Sequence, residues 1–176
     1  MTASLFWFRD DLRLADNPAL ISALAHGPTL CLYILDEGGD RRPLGGAARW
    51  WLSRSLAALS ADIETRRGEL VLMRGDPATL IPAIVEAAGI DHVAWNRRYE
   101  AATIALDKQL KETLGAAGVT VESLNASLLN EPWQVKGKSG DWMKVFTPYW
   151  RAARALGEPA VPKSAPKTMA PLALPK

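Results

Sequence analysis

The apolar runs SLFWF at residues 4–8 and TLCLYIL at residues 29–35 decide the fold, because each contains almost no polar side chains. Three more short runs follow, at residues 69–73, 92–95 and 119–124. Strands of a parallel sheet are buried on both faces, so they consist of nearly continuous apolar residues rather than alternating ones. The five runs therefore predict five strands of a parallel sheet.

Helix-like segments lie between these runs. Apolar residues recur at helical spacing in two of them, at Leu52, Leu56, Leu59 and Ile63 and at Leu106, Leu110, Leu114 and Ala117. Asp16-Asn17-Pro18 and Asp76-Pro77 each place capping side chains before a proline in a first helical turn. Pro82 conflicts with the helix that follows Asp76, because an interior proline forfeits a hydrogen bond, so this helix is expected to start late or bend. The alternation predicts a Rossmann-like α/β fold, a five-stranded parallel sheet with helices on both faces.

The alternation of strands and helices stops after Leu128. Residues 147–156, TPYWRAARAL, predict one more short helix, and the last 20 residues hold five of the chain's 12 prolines. Such a proline- and lysine-rich segment has no apolar period, so it is expected to be extended or disordered and not to pack into a core. We therefore predict an α/β domain over residues 1–156 and an interdomain linker over residues 157–176, leading to a domain absent from this sequence.

Composition restricts the kind of protein. A chain of 176 residues with 48% hydrophobic and 23% charged residues is typical of a soluble globular domain, and a net charge of +2 does not argue for nucleic-acid binding by this chain alone. It has no apolar stretch of the roughly 18 residues that a membrane span needs. Since the N-terminus also has no signal-peptide pattern, the expected location is the cytoplasm. One cysteine and two separated histidines exclude an internal disulfide and a zinc-binding spacing, so no metal site is expected.

The predicted sheet also predicts where a ligand binds. In open parallel sheets, ligands bind beyond the carboxyl ends of the strands, near the point where the strand order reverses. Reading those ends from the sequence gives a ring of mostly hydrogen-bonding and charged groups close to Trp7 and Trp95. Its members are Phe8, Arg9, Asp10, Leu35, Asp36, Arg74, Gly75, Asp76, Asn96, Arg97 and Arg98. Such an edge suits a planar ligand with an aromatic body and polar edges. The alternative is that these are ordinary loop charges and helix caps.

Other chemistries lack their motifs. No G-x-G-x-x-G loop follows the first strand, and no G-x-S-x-G elbow is present. His26 and His92 precede the second and fourth predicted strands, at the opposite edge from the expected ligand site. A stand-alone nucleotide-binding α/β protein, such as a relative of universal-stress proteins or electron-transfer flavoproteins, stays an alternative. The missing glycine-rich phosphate loop argues against it.

Residues 5–20, LFWFRDDLRLADNPAL, resemble the opening of proteins of the photolyase/cryptochrome family. Four further blocks resemble the family in the same order: GGAARWWLSRSLAAL at 45–59, WNRRYEAATIALD at 95–107, SLLNEPW at 127–133 and KVFTPYWRA at 144–152. Five collinear blocks make a much more specific match than any one of them. The resemblance extends to about Ala152.

The resemblance implies a protein with two domains. In that family an N-terminal α/β domain accepts an antenna chromophore (a folate, a deazaflavin or a flavin), and a helical C-terminal domain binds FAD and damaged DNA. A photolyase is a carbon–carbon lyase that uses light to repair cyclobutane pyrimidine dimers flipped from the duplex. The resemblance therefore implies that this chain alone neither holds FAD stably nor repairs DNA. A cryptochrome photoreceptor with the same fold is the alternative.

The family pattern and the strand ends together give the candidate antenna-binding residues, which are Arg9, Asp10, Leu35, Asp36, Arg49, Asn96, Arg97, Arg98 and Glu100. Arg13 and Asp16 are instead expected to form an Arg–carboxylate pair that holds the first loop and caps the next helix. Ala101-Ala102-Thr103 departs from the folate-type pattern, and Arg97-Arg98 departs from the deazaflavin-type pattern. A differently placed folate, a flavin and an empty pocket all stay open.

Overall fold

The computed structural model describes residues 2–36, 44–137 and 140–174. Its strands are β1 Ser4–Phe8, β2 Thr29–Leu35, β3 Leu70–Arg74, β4 His92–Asn96 and β5 Thr120–Leu124. Its helices are α1 Pro18–His26, α2 Gly46–Glu64, α3 Pro77–Ala88, α4 Ala101–Ala116 and α5 Phe146–Ala155. The strands form one parallel sheet in the order β3-β2-β1-β4-β5. The predicted five-stranded α/β fold is confirmed.

The strand order reverses beside β1. The chain proceeds from β1 to β2 and β3 in one direction and then returns to place β4 and β5 on the other side of β1. In the register of the central pair, Trp7 of β1 lies opposite Trp95 of β4. The switch point, where such sheets bind ligands, therefore lies at the carboxyl ends of β1 and β4.

Side chains alternate along β1 and contribute to two separate cores. Leu5 and Trp7 belong to a cluster that includes Ile81 of α3 and Leu110 of α4, whereas Phe6 and Phe8 belong to a second cluster. That second cluster includes residues of α1 and α2, among them Leu20, Leu59 and Ile63. Because successive strand side chains point to opposite faces, the two clusters lie on the two sides of the sheet. Helices cover both faces, as predicted.

Helices α1 and α3 begin at the residues that their predicted N-caps indicate, and α3 also contains Pro82. The Asn17 side chain accepts a hydrogen bond from the backbone nitrogen of Leu20, and the Asp76 side chain accepts one from that of Ala78. Helix α3 starts at Pro77 and continues through Pro82, so the expected late start is wrong. The hydrogen bond that Pro82 cannot donate is offset by burial of apolar residues of α3 in the first core.

The chain divides into two compact units. One consists of Met1–Ala126 together with Lys163–Lys176 and contains the sheet, and the other is Ser127–Pro162. The second unit contains α5, close to the helix predicted at residues 147–156.

The end of the chain differs from the predicted linker. Residues 163–174 are extended, but they pack onto the sheet unit. Met169 is 6% exposed within the second core, and Leu172 and Leu174 contact the first core. Thr29 at the start of β2 donates to the carbonyl of Ala170 (2.8 Å) and accepts from the nitrogen of Leu172 (3.2 Å). The expectation that this segment cannot pack into a core is wrong, because a few apolar side chains suffice without any period, and the start of β2 at Thr29, before its pairing with β3 begins at Cys31, accepts the segment. Residues 175 and 176 of the predicted linker lie outside the described residues.

Candidate functional site

A pocket of about 130 Å³ opens at the carboxyl ends of β1 and β2. Its lining residues are Trp7, Phe8, Arg9, Asp10, Tyr33, Ile34, Leu35, Asp36, Leu44 and Arg98. Five of the nine predicted site residues are among them, namely Arg9, Asp10, Leu35, Asp36 and Arg98. The pocket lies at the edge of the sheet where the fold places ligands.

Arg9 lines this pocket, but its charge is neutralised inside the fold. The side chain is buried, and its Nη1 donates to Asp107 Oδ1 at 2.7 Å. Its Nε donates to the carbonyl of Asn96 at 3.1 Å, and its guanidinium lies 4.9 Å from the centre of the Trp7 ring. Burial lowers the pKa of Arg9, and the hydrogen bond to Asp107 opposes that shift. Asp107 also accepts from Trp95 Nε1 at 2.8 Å, so this ion pair fixes β1, β4 and α4 together.

Asn96 does not line the pocket. Its side-chain nitrogen donates to Asn17 Oδ1 at 2.8 Å and to Asp11, and its side-chain oxygen accepts from the backbone nitrogen of Ala19 at 3.3 Å. Burial raises the pKa of the Asp11 carboxyl, and the hydrogen bond from Asn96 opposes the rise. Asn96 therefore joins the end of β4 to the β1–α1 loop and the start of α1. Asp11 shares this role, and the sequence did not single out Asp11 as a site residue.

The other three predicted residues outside the pocket also bond to nearby parts of the fold. Arg97 donates to the backbone carbonyl of Ser123 in β5. The Glu100 carboxylate accepts from Thr103 Oγ1 at 3.0 Å, in the first turn of α4. Arg49 donates from Nε to the carbonyl of Leu44 at 2.8 Å. Their sequence positions after strands or at a helix start do not bring them to the pocket.

Arg13 and Asp16 hold the first loop, although without the predicted ion pair. Arg13 Nη2 donates to the backbone carbonyls of Asp16 and Ala126, each at 2.8 Å. Asn17, and not Asp16, provides the N-cap of α1. The expectation of an Arg–carboxylate pair is wrong, because the Arg13 guanidinium donates to backbone carbonyl oxygens and not to the Asp16 carboxylate.

The pocket opening carries an ion pair whose carboxylate is exposed, and a half-buried tyrosine. Arg98 Nη1 lies 3.2 Å from Asp10 Oδ2. Burial raises the pKa of the nearby Tyr33, and the negative charge of Asp10 raises it further. Sequence reasoning missed Tyr33, although its place two residues before Leu35 puts it on the same side of β2.

Two donors in the pocket lining lack an acceptor. Within the described part of the chain, Trp7 Nε1 and Arg98 Nε are buried and have no hydrogen-bond partner. A buried donor left without a partner costs about 1–3 kcal/mol, so an acceptor from a ligand or a water stabilises it. The pocket thus offers aromatic walls and donor groups to a planar ligand with acceptors along its edge.

The pocket is smaller than a site that encloses a whole planar cofactor. Sites for small molecules usually measure about 300–1,000 Å³. The described residues leave about 130 Å³ here, enough for part of such a ligand. Residues 37–43, between Asp36 and Leu44, lie outside the described residues.

The second unit has a pocket of its own, of about 800 Å³. Trp150 and Arg154 of α5 contribute to its lining, and the Trp150 ring stacks on Phe146 with their centres 6.1 Å apart. None of the predicted site residues lies in this unit.

The described residues contain neither a helix fit to span a membrane nor a metal-binding cluster. Over residues 2–36, 44–137 and 140–174, no helix combines the length and the apolar character that crossing a membrane requires. The same residues contain no group of three or more His, Cys, Asp or Glu side chains arranged to hold a metal ion.

Comparison with known proteins identifies relatives over nearly the whole chain. The profile described as DNA photolyase matches residues 4–167. A deoxyribodipyrimidine photo-lyase of Agrobacterium fabrum is 45% identical over 174 residues, which is 98% of this chain and 36% of that protein. Cryptochrome-1 of Arabidopsis thaliana is 35% identical over 164 residues, which is 92% of this chain and 24% of that protein. The chain therefore spans about a third or less of the length of these two relatives.

Solved structures agree with these matches. A bacterial class III photolyase from Agrobacterium tumefaciens superposes with a TM-score of 0.90 at 44% identity, over 100% of this chain and 36% of that one. An archaeal photolyase from Sulfolobus tokodaii, whose structure holds two FAD molecules, shares the fold with a TM-score of 0.74 at 18% identity, over 96% of this chain and 38% of that one. With a family profile matched from residue 4 to residue 167 and this parallel sheet, the chain belongs to the DNA photolyase family, as the five sequence blocks predicted.

Proposed function

We propose that this chain is the antenna-binding α/β domain of a deoxyribodipyrimidine photolyase. The main support is the 45% sequence identity to a deoxyribodipyrimidine photo-lyase, in an alignment that covers 98% of this chain and only 36% of the relative. In this proposal the rest of the parent polypeptide, a helical C-terminal domain, binds FAD and damaged DNA and repairs cyclobutane pyrimidine dimers in the cytoplasm. In this proposal the connection between the two domains runs through residues 157–176, of which residues 163–174 pack onto the sheet unit, and the chain alone is not catalytic.

The pocket at the ends of β1 and β2 is the proposed antenna site. Arg9, Asp10, Leu35, Asp36 and Arg98 would hold part of a folate, a deazaflavin or a flavin, and the bound chromophore would supply light harvesting. The two buried donors without partners, Trp7 Nε1 and Arg98 Nε, support a ligand with acceptor atoms at its edge. Arg49, Asn96, Arg97 and Glu100 support the surrounding loops and helices instead.

A titration tests the antenna site in the chain as it stands. Fluorescence is followed while a reduced folate, a deazaflavin or FMN is added to the wild-type chain and to Arg98→Met. We expect Arg98→Met to weaken the binding of the preferred chromophore by about tenfold, since a hydrogen bond to a charged group contributes about 1.5–3 kcal/mol. Arg54→Met on α2, away from the pocket lining, is the matched control and should bind normally. Equal affinities for Arg98→Met and the wild-type chain would contradict this site.

Repair itself is tested with the longer parent. The FAD-loaded parent is mixed with an oligonucleotide that contains a cyclobutane dimer, illuminated with blue light, and the restored strand is quantified by chromatography. We expect repair by the parent and none by residues 1–176, even with added FAD. A parent that holds FAD and leaves the dimer intact would exclude the photolyase function.

The second candidate is a cryptochrome photoreceptor, favoured by the 35% identity to Cryptochrome-1 of Arabidopsis thaliana. It predicts light-dependent flavin chemistry in the parent without dimer repair, so the same experiment separates the two. A stand-alone nucleotide-binding protein is the third candidate. It predicts tight binding of ATP or AMP by the isolated chain, which calorimetry measures.

A further inference from the structure

Two buried tryptophans pack together beside the candidate pocket. Trp7 of β1 lines the pocket, whereas Trp95 of β4 is fully buried and is not among the described residues that line it. Their rings meet edge to face, with the ring centres 6.0 Å apart. Of the two, Trp7 is therefore the one placed to contact a ligand in the pocket.

A fixed positive charge lies beside the Trp7 ring. The Arg9 guanidinium is 4.9 Å from the centre of that ring, and Asp107 holds it there through bonds of 2.7 Å to Nη1 and 3.2 Å to Nη2. The Arg9 side chain is only 2% exposed, so water and salt screen its charge weakly. Because a guanidinium keeps its proton at any physiological pH, this charge is permanent.

The surroundings of Trp95 are of the opposite kind. Its Nε1 donates to Asp107 Oδ2 at 2.8 Å, while Trp7 Nε1 has no hydrogen-bond partner among the described residues. An indole that loses an electron becomes a cation and a stronger acid. A carboxylate at Nε1 therefore favours that loss, and a neighbouring cation opposes it. Of the two rings, the one that faces the pocket is the harder to oxidise.

We propose that the Arg9 guanidinium keeps Trp7 from quenching a light-absorbing ligand in the candidate pocket. This inference rests on the proposed function, in which an antenna chromophore absorbs light at this site. Excited flavins, deazaflavins and pterins take an electron from a nearby indole, and the captured energy is then lost as heat. In that step one electron passes from Trp7 to the excited ligand and leaves an indole radical cation. Return of the electron restores both molecules, and no bond forms or breaks.

The charge on Arg9 makes this electron loss unfavourable. Its attraction to the neutral ring disappears when the ring becomes positive, and repulsion takes its place. At about 5 Å and away from water, a unit charge changes such an equilibrium by roughly tenfold or more. The same charge also attracts an electron on the ligand. The guanidinium bonds toward β4 and α4 and offers a ligand almost no surface, so it acts mainly on Trp7.

The fluorescence lifetime of a dye in the pocket tests this protection without any antenna chromophore. Asp36→Cys places a thiol in the pocket lining, where monobromobimane labels it. The chain's own cysteine, Cys31, is buried, and burial raises the pKa of its thiol to about 12, so it stays unlabelled. Excited bimane takes an electron from indole, so a short lifetime reports electron transfer from a tryptophan in the lining.

Three variants of the labelled chain give the expected pattern. Trp7→Phe alone should leave the lifetime unchanged, because Arg9 already prevents electron loss from Trp7. Arg9→Met together with Asp107→Leu should shorten the lifetime about threefold, and Trp7→Phe added to that pair should restore it. Circular dichroism checks the fold of each variant. A longer lifetime in Trp7→Phe alone would overturn the proposal, as would an unchanged lifetime in the folded double variant.

Tyr33→Trp is the matched control, and it decides the matter if the double variant does not fold. Tyr33 lines the same pocket but packs with the second core, whereas Trp7 belongs to the first. A new indole there lies on the other face of the sheet from Arg9, so it should shorten the lifetime about threefold. Quenching in Tyr33→Trp with no effect of Trp7→Phe would support the proposal. No quenching in Tyr33→Trp would mean that the pocket itself prevents electron transfer, and the proposal would be wrong.

Binding of a reduced folate, a deazaflavin and FMN is measured on the same variants without the dye. If none of them binds while the dye lifetimes follow the expected pattern, the antenna site is overturned and the effect of Arg9 on Trp7 is supported. If one of them binds while the dye lifetimes contradict the pattern, the protection by Arg9 alone is overturned.

Discussion

The two ends of the parallel sheet each carry a buried polar cluster, and the two clusters differ in their response to protons. At the carboxyl end, Arg9 pairs with Asp107 at 2.7 Å, and a guanidinium stays charged over the whole physiological range. At the amino end, the rings of His26 and His92 stack with their centres 4.5 Å apart, and His26 Nε2 lies 2.8 Å from Asp91 Oδ1. The Arg9–Asp107 pair is therefore expected to stay charged over the physiological pH range, whereas the opposite end holds His92, whose pKa is lowered by burial.

The largest expected effect comes from breaking the carboxyl-end pair. Asp107→Asn leaves the buried Arg9 without its counter-charge, which typically costs about 3–5 kcal/mol of stability. Urea unfolding of the variant and of the wild-type chain measures the difference. The double replacement Arg9→Met with Asp107→Leu is the control and should recover part of the loss, because it leaves no unpaired buried charge although Trp95 Nε1 and the Asn96 carbonyl each lose a partner. A loss in Asp107→Asn of under about 1 kcal/mol would mean that this pair behaves like a surface pair.

The second-largest expected loss of stability concerns residues 163–174, which pack beside the start of β2 at the amino end of the sheet. Met169 is buried in the second core, so Met169→Ala should lower the free energy of unfolding by about 2–4 kcal/mol through the lost contacts and the cavity left behind. Val161→Ala, at a position 87% exposed, is the control and should change it by less than about 0.5 kcal/mol. Equal stability of Met169→Ala and the wild-type chain in urea would show that residues 163–174 do not pack onto the sheet unit in solution.

The amino end should respond to pH. Burial lowers the pKa of His92 below its ordinary value of 6.5, a charge on His26 lowers it further, and Glu122 opposes the shift. Because the folded state binds the proton less well than the unfolded chain, the stabilisation is complete above pH 6.5 and is lost as the pH falls through the lowered pKa. The groups that face His92 are His26 of α1, Ser4 of β1, Glu122 of β5 and Asp91, which precedes β4.

Urea unfolding between pH 8 and pH 5 measures this effect. We expect the wild-type chain to lose stability below pH 6.5, and His92→Gln to lose less over the same range because it has no imidazole to titrate there. The hydrogen bond from His26 lowers the pKa of Asp91 below 3.8. The contribution of Asp91 to stability is therefore lost only below the pH range of this experiment. Parallel curves for the two proteins would show that His92 titrates normally in the folded state.

Sequence reasoning identified the strands but could not assign every polar side chain that follows them. Continuous apolar runs require burial on both faces, so SLFWF and TLCLYIL predicted β1 and β2 with their observed bounds. A polar residue after a strand can turn toward a ligand or toward a neighbouring loop, and the sequence does not distinguish the two. Asp10 turned toward the pocket, and Asn96 toward α1. The packing of residues 163–174 was missed because it depends on the start of β2 at Thr29, which β3 leaves unpaired, and no local pattern encodes that.

The smallest expected change in stability comes from the exposed Asp10–Arg98 pair, which lies at the same end of the sheet as the buried Arg9–Asp107 pair. Asp10 is mostly exposed and lies 3.2 Å from Arg98, so Asp10→Asn should change the free energy of unfolding by no more than about 1 kcal/mol, because water screens the pair. High salt should reduce this small difference further, while the cost of Asp107→Asn persists in high salt since its partner is buried. Urea unfolding at low and high salt measures both. A cost for Asp10→Asn equal to that for Asp107→Asn would mean that the pocket opening is closed to solvent, and the candidate pocket would then be inaccessible to a ligand from solution.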